Sequence, residues 1–487
     1  MLRTHVWLAA LVLVAGLSAC DSLTDAGPRS PDVDRAASGE AIDVVLSHPR
    51  ALDARLATFA AARGDSVKHL YPAAGFAVVT TTDPGAYGRF ASTVVRDARL
   101  QWRAPVPVPA FDADVAVALG NGPIGDPPDS GSSDDFFNLQ WGHAAVGAPA
   151  AWNAGVRGQG VRVAILDTGF DVTHPELEAN IDFEASRSML PGVPLDYALD
   201  DGESHGTMVA GVVAAAQNGV GTIGVAPDAQ LVLIRVLDDE GGGSFGDILA
   251  GFVYAADVGV DVLNASLGTM WQRSGFTDYT GRWVSAREVA AMLSAATRVT
   301  NYAHQRGVTM VASAGNAAMD SNRWADAFHP FSQLPHVLAI SGTGPYGWAL
   351  DQDTDLDVPG FYTNYGLSHI QFAAPGGNID FGLMASGDIC EAPGVTGMDY
   401  PCWVFDLVVT TTDRASIETG APDGYTYFGF TSAAAPYAAG VAALIISEHG
   451  TAMHPARVAA ELRARATDLG SPGRDAYYGF GRVHTGY

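Results

Sequence analysis

The chain has 487 residues, with 53 Asp and Glu against 27 Lys and Arg, which leaves a net charge of −26. A hydrophobic content of 48% is too high for a mostly disordered chain and suffices for one large core plus a smaller domain. The acidic balance argues against a nucleic-acid binder or a basic membrane-binding face; Lys68 is the sole lysine, and no Lys/Arg cluster occurs.

Residues 1–19 read as an export signal: Arg3 supplies the positive start, and residues 6–17 form an apolar run too short to span a bilayer comfortably. The run ends in Leu17-Ser18-Ala19-Cys20, which resembles the lipobox of bacterial lipoproteins, where cleavage leaves the cysteine as a lipid-bearing first residue. An ordinary cleaved signal with a chance cysteine is the alternative. Either way the chain is expected outside the cytoplasm, and with lipid on Cys20 it is a membrane-anchored protein of the cell envelope. Cys390 and Cys402 lie close together and far from Cys20, so one local disulfide is expected. A metal pair there lacks neighbouring His and Cys partners.

Residues 20–40 are rich in Asp, Ser, Pro and Gly and read as a flexible tether. Residues 41–106 then suit a β-α-β-β-α-β order: strands at 42–46, 66–71 and 75–81, helices at 51–62 and 84–96, and an extended end at 100–106. That order fits a small α+β ferredoxin-like domain. Residues 107–135 carry Gly120-Asn121-Gly122-Pro123 and Asp126-Pro127-Pro128, a composition that marks a linker. From 136 to 487, apolar β-branched runs at 161–166, 230–237, 260–264, 308–312 and 337–341 alternate with helical patterns at 206–216, 245–258 and 286–306. Continuous apolar strands between helices predict an α/β domain with a mostly parallel sheet covered on both faces. Active residues of such sheets gather at the strands' carboxyl ends.

Four segments stand where a strand gives way to a turn or helix: Ile165-Leu166-Asp167-Thr168-Gly169, His205-Gly206-Thr207, Ala314-Gly315-Asn316 and Thr431-Ser432-Ala433. They supply an orienting carboxylate, a base, an amide donor for an oxyanion, and a nucleophile. Taken one at a time each reads as a turn or a helix cap. Together, in this order, they resemble the active-site signatures of the subtilisin-like serine proteases (peptidase S8). Further segments join the resemblance: Trp141-Gly142, His174-Pro175-Glu176-Leu177, Gly224-Val225-Ala226-Pro227, Asn264-Ala265-Ser266-Leu267-Gly268, Ala374-Pro375-Gly376 and Tyr478-Gly479-Phe480-Gly481. His143, His304, His336 and His454 have no motif around them and read as packing or surface groups.

The resemblance implies a three-layer fold and a serine endopeptidase acting on proteins, with Asp167, His205 and Ser432 as triad and Asn316 in the oxyanion hole. It implies that substrate adds as a strand beside Ser266, Leu267 and Gly268, with Ala314 and Gly315 on the other wall of the primary pocket. Residues 269–285, bearing Trp271, Phe276, Tyr279 and Trp283, are an insertion near that cleft, either an aromatic subsite or a packed loop. Glu176 and Asn218, with Asp134 or Asp135, match positions of a structural calcium site in relatives. The acidic run 351–357 lacks the glycine of an EF-hand and reads as a solvated loop. The domain at 41–106 resembles the family's inhibitory propeptide, which implies a zymogen whose C-terminal segment fills the cleft until the linker is cut. A monomer is expected.

This chain departs from the family at Phe430, where Gly is usual, at Ala433 for Met and at Tyr437 for His. Phe430 stands close enough to Ser432 to crowd it. A catalytically silent peptide-binding relative is the main rival reading. A lipase or esterase would need a G-x-S-x-G elbow, which the residues around Ser432 do not form.

Overall fold

The computed structural model describes residues 40–102, 130–131, 134–199, 203–395, 398–414, 424–450 and 453–487. The export signal with Cys20, nearly all of the tether and most of the 107–135 linker lie outside the described residues.

The N-terminal unit contains β1 (Ile42–Ser47), α1 (Leu56–Arg63), β2 (Ser66–Tyr71), β3 (Phe76–Thr81) and β4 (Thr93–Arg96). Its sheet order is β2-β3-β1-β4 with every neighbour antiparallel, the order of a ferredoxin-like split βαβ unit. The second helix expected over 84–96 is only a 3-10 turn, Pro84–Arg89, before the chain extends into β4. Gly85 and Gly88 weaken a helix there, and the β-branched Thr93-Val94-Val95 run pairs with β1 instead. The sheet is covered on both faces. Val44, Leu46, Ala77 and Val79 pack with Leu56, Ala60 and Tyr87, whereas Val45, Phe76, Val78 and Val95 join the core of the large unit.

The large unit is built on seven parallel strands: β6 (Arg162–Asp167), β7 (Arg187–Ser188), β8 (Gln230–Arg235), β10 (Val262–Ala265), β11 (Thr309–Ser313), β12 (Val337–Thr343) and β13 (Phe372–Pro375). Their order is β13-β12-β11-β10-β6-β8-β7. Alternation in β6 explains its unbroken apolar run. Val163 and Ile165 pack on one face with α2 (His205–Ala214) and α5 (Thr431–Glu448), while Ala164 and Leu166 pack on the other with α3 (Phe245–Asp257) and α4 (Ala286–Gln305). This is the subtilisin-like three-layer α/β sandwich. The Cys390–Cys402 disulfide is present and ties the strand Ile389–Glu391 to the 3-10 turn Cys402–Asp406 that follows its antiparallel partner Asp399–Pro401.

The two units touch through strand addition. Strand β5 (Arg99–Gln101), at the end of the N-terminal unit, pairs antiparallel with β9 (Gly242–Ser244) of the large unit. Among the described residues, no helix is long and apolar enough to cross a membrane.

Candidate active site

Asp167 is the last residue of β6, and His205 is the first of α2. Strand geometry brings the carboxylate to the sheet's carboxyl edge, and Ser204 caps the helix that presents the imidazole, its hydroxyl accepting from the Thr207 amide at 3.3 Å. His205 Nδ1 lies 2.8 Å from Asp167 Oδ1, which also accepts from the Thr168 amide at 2.8 Å. Both side chains are buried, and the His205 ring stands edge-on to Phe428. Since Asp167 accepts, His205 carries its proton on Nδ1 and leaves Nε2 bare.

Ser432 is the second residue of α5, so its amide belongs to the first turn, where no intrahelical acceptor exists. Pro436 sits one turn on and cannot donate to the Ser432 carbonyl. That carbonyl instead accepts from Ser266 Oγ at 2.9 Å, and Asn264 Nδ2 donates to the same hydroxyl at 3.0 Å. The Ser432 hydroxyl donates to the Ser266 carbonyl at 3.3 Å; among the described residues this, not His205, is its hydrogen-bond partner.

Asn316 follows β11. Its Oδ1 accepts from the Thr431 amide at 3.0 Å and from Thr431 Oγ1 at 2.6 Å, and among the described residues the NH2 end of the amide has no hydrogen-bond partner. Thr431 Oγ1 also receives the Gly315 amide at 3.2 Å. Thr431 and Asn264 therefore fix the groups around Ser432, and the sequence pattern alone does not expose either role: each is visible only as a neighbour of a motif residue.

Phe430 holds φ at +71°, a conformation a glycine adopts freely and a phenylalanine only under strain. Its amide donates to Gly376 at 2.7 Å, and its ring packs edge-on against Tyr362 at 4.5 Å and against Phe361 at 6.3 Å. These contacts hold the backbone and engage the ring with Phe361 and Tyr362.

Ser266, Leu267 and Gly268 continue from β10, and Ala314 and Gly315 from its neighbour β11, so the two segments face each other. The N-terminal unit's last described residues run alongside. The Trp102 carbonyl accepts from the Gly268 amide at 2.9 Å, the Trp102 amide donates to Gly241 at 3.0 Å, and Trp102 Nε1 donates to Gly243 at 2.8 Å. The Trp102 indole is 1% exposed and lies against Trp271 and Phe331. The 269–285 insertion is divided in role. Trp271 is buried beside Trp102 and Phe245, while Tyr279 and Trp283 are exposed, and the Tyr279 amide donates to Arg99 at 2.8 Å.

The predicted calcium residues do meet. Asp134 Oδ1 accepts from the Asn218 and Gly219 amides, Asp135 Oδ2 from Gly221, and Glu176 Oε1 from Thr222 and from the Tyr425 hydroxyl at 2.7 Å. Among the described residues, Asp134 Oδ2 and Glu176 Oε2 are buried without a partner. Burial pushes Asp134 up to about 6 and Glu176 well above the ordinary carboxylate range, with Asp134 adding repulsion on Glu176. Two orphaned anionic oxygens fit a hard cation, although among the described residues no three His, Cys, Asp or Glu side chains form a closed cage. The acidic 351–357 run is a self-capping loop instead: Asp351 and Asp355 accept from the Asp353 and Asp357 amides, and Asp357 pairs with Arg482.

Comparison with known proteins gives the family. The subtilase family profile matches residues 158–481. Subtilisin E of Bacillus subtilis (strain 168) is 30% identical over 348 residues, covering 71% of this chain and 70% of that protein. Subtilisin Savinase of Lederbergia lenta is 30% identical over 347 residues, covering 71% and 97%. Among solved structures, the epidermin leader peptide processing serine protease of Staphylococcus aureus aligns with a TM-score of 0.64 over 92% of this chain and 97% of its own, at 21% identity. Fervidolysin from Fervidobacterium pennivorans, a keratinolytic enzyme related to subtilisin, aligns at 0.62 over 93% and 61%, at 22% identity. Strand order, strand-end residues and sequence agree, and the chain belongs to the subtilase family of serine proteases.

Proposed function

We propose that the protein is a serine endopeptidase made as a self-processed precursor, with Ser432 as nucleophile, His205 as general base and then acid, and Asp167 as its orienting carboxylate. The observation that carries this reading is the 2.8 Å pairing of Asp167 with His205 Nδ1, which leaves Nε2 bare at the sheet edge where α5 presents Ser432. Release of the Ser432 hydroxyl from the Ser266 carbonyl lets it turn to Nε2, a rearrangement that accompanies substrate binding. Attack on the peptide carbonyl moves the Ser432 proton to Nε2 and charge onto the carbonyl oxygen. The unengaged Asn316 NH2 and the Ser432 amide then face that charge, and His205 returns the proton to the leaving amine.

Asn316→Ala is expected to lower kcat by about 10²–10³ with KM nearly unchanged, the magnitude known for the equivalent donor of a subtilisin. Steady-state kinetics on one peptide substrate would read it, and a loss confined to KM would count against the assignment.

The N-terminal unit is assigned as an intramolecular inhibitor. Support comes from the β5–β9 pairing and from Trp102, whose segment lies against Gly268 where a substrate strand would lie. Trp102→Ala should weaken its hold by about 3–5 kcal/mol, which is roughly a hundred- to several-thousandfold in inhibition constant. Inhibition of the mature protease by residues 40–106 added back would measure it. Cleavage is placed in the 107–135 linker, and lipid on Cys20 would keep the released N-terminal part at the membrane.

A structural calcium ion is assigned to Asp134, Glu176 and the 217–222 loop. Without it, protonation of Asp134 and Glu176 favours the fold, so stability falls as pH rises from 3.8 through about 6. Calcium is therefore expected to raise the melting temperature more above that range than below it. Free calcium at 100 times Kd would add about 2.7 kcal/mol. Identical melting curves in calcium and in chelator at both ends of the range would remove the assignment.

The whole reading is tested with a fluorophosphonate probe on the protein and its Ser432→Ala variant, with intact mass read before and after. An adduct on the wild type alone, at a mass shortened by loss of the N-terminal unit, is the expected result. A folded wild type that has lost the N-terminal unit yet takes no adduct would instead favour a silent peptide-binding relative.

A further inference from the structure

His329 is a buried histidine that the mechanism does not use. Its ring lies between the two walls of the primary pocket. A Cβ built on Gly268 would stand 2.0 Å from His329 Cε1 and 2.4 Å from Nε2, and one built on Gly315 would stand 2.6 Å from Cδ2 and 2.8 Å from Nε2. The imidazole takes the space a side chain would need at Gly268, and at Gly315 it does so together with Asn364 Nδ2, 2.5 Å from such a Cβ, where φ of +96° also favours glycine. His329 remains 4% exposed, and among the described residues Nε2 has no hydrogen bond.

The other side of the ring is held by a buried chain of polar groups. His329 Nδ1 lies 3.0 Å from Ser332 Oγ, Ser332 Oγ lies 2.9 Å from His369 Nε2, and His369 Nδ1 lies 2.9 Å from Ser321 Oγ. A hydroxyl has one proton, and Ser332 Oγ also lies 3.4 Å from the His329 carbonyl, so it either donates to one imidazole and accepts from the other, or donates to that carbonyl and accepts from both, which leaves His329 Nε2 a bare acceptor. If it donates to His329, Nε2 carries a proton toward the pocket; if it donates to His369, Nε2 is a bare acceptor. Burial pushes His329 down to about 4 and His369 down to about 3, so both rings are neutral in the working range of a serine protease. The pocket therefore ends in one uncharged hydrogen-bonding atom that can serve as donor or acceptor.

We propose that His329 is the floor of the primary pocket and sets the enzyme's choice of residue on the acyl side of the scissile bond, favouring uncharged polar side chains (Ser, Thr, Asn, Gln) and excluding Phe and Tyr. The assignment rests on the reading of Ser432 as nucleophile. A hydroxyl or carboxamide can match either tautomer. An apolar side chain of equal size leaves Nε2 dry and unpaired, which disfavours it by about 10- to 100-fold. A large ring meets the imidazole before it is fully seated.

The test uses the matured protein, its active sites counted by fluorophosphonate titration, on internally quenched peptides that differ only at this one residue. The wild type is expected to show kcat/KM for Asn, Gln, Ser and Thr at least about tenfold above Phe and Tyr. His329→Gly should reverse that order by opening the pocket. His329→Asn, which keeps a hydrogen-bonding end in a smaller volume, should keep the polar preference and admit longer side chains. A titratable wild type that prefers Phe or Tyr, or a titratable His329→Gly with the wild-type ranking, overturns the assignment of His329 alone. A wild type that takes no probe overturns both this assignment and the protease reading. If His329→Gly takes no probe, the wild-type ranking and the Asn variant decide.

Discussion

Ser432→Ala is expected to reduce kcat by about 10⁶, the loss measured when the nucleophile of a subtilisin is removed, while leaving the protein folded. The side chain contributes one weak hydrogen bond to the fold, at 3.3 Å to Ser266, and the bond that braces the turn runs the other way, from Ser266 Oγ to the Ser432 carbonyl. Loss of the hydroxyl removes the proposed nucleophile and little else. The variant should accumulate as the full-length precursor, because the same hydroxyl would cut the linker. Intact mass and a melting curve separate the outcomes: normal melting with an uncut chain is expected, and normal processing of the alanine variant would assign the cut to another protease.

Asp167→Asn is expected to cost about 10⁴ in kcat with KM close to wild type. Asp167 accepts from His205 Nδ1 and from the Thr168 amide through the same oxygen, and among the described residues its other oxygen is buried without a partner. An asparagine can turn its NH2 toward His205, which moves the imidazole proton to Nε2 and points a donor, not an acceptor, at Ser432. It also leaves the imidazolium formed during attack without a counter-charge in a buried site. The rate of fluorophosphonate labelling, measured beside peptide hydrolysis, should fall in parallel. Loss of hydrolysis with unchanged labelling would show that Asp167 acts on something other than the activation of Ser432.

Much of this molecule was legible from residue pattern. The unbroken apolar runs marked strands buried on both faces, and β6 shows why: its alternate residues serve two cores at once. Asp167, His205, Asn316 and Ser432 were visible because each ends a strand or opens a helix, where a side chain clears the sheet. The second helix that local apolar spacing across 84–96 predicts for the N-terminal unit does not form, because Gly85 and Gly88 weaken it. The pairing of β4 with β1, a long-range contact, decided the outcome.

The sequence by itself determined the family, the parallel α/β sheet, the order of the four strand-end residues and the Cys390–Cys402 pair, since these depend on periodicity, motif and proximity along the chain. Only the tertiary structure decided how Phe430 is tolerated at positive φ, since rings from 361 and 362 hold it. Tertiary structure alone also placed Trp102 against Gly268, set Thr431 on the Asn316 amide and packed the His329 ring between Gly268 and Gly315. Each is a contact between segments far apart in the chain. No local propensity encodes it; it arises when the sheet brings strand ends together.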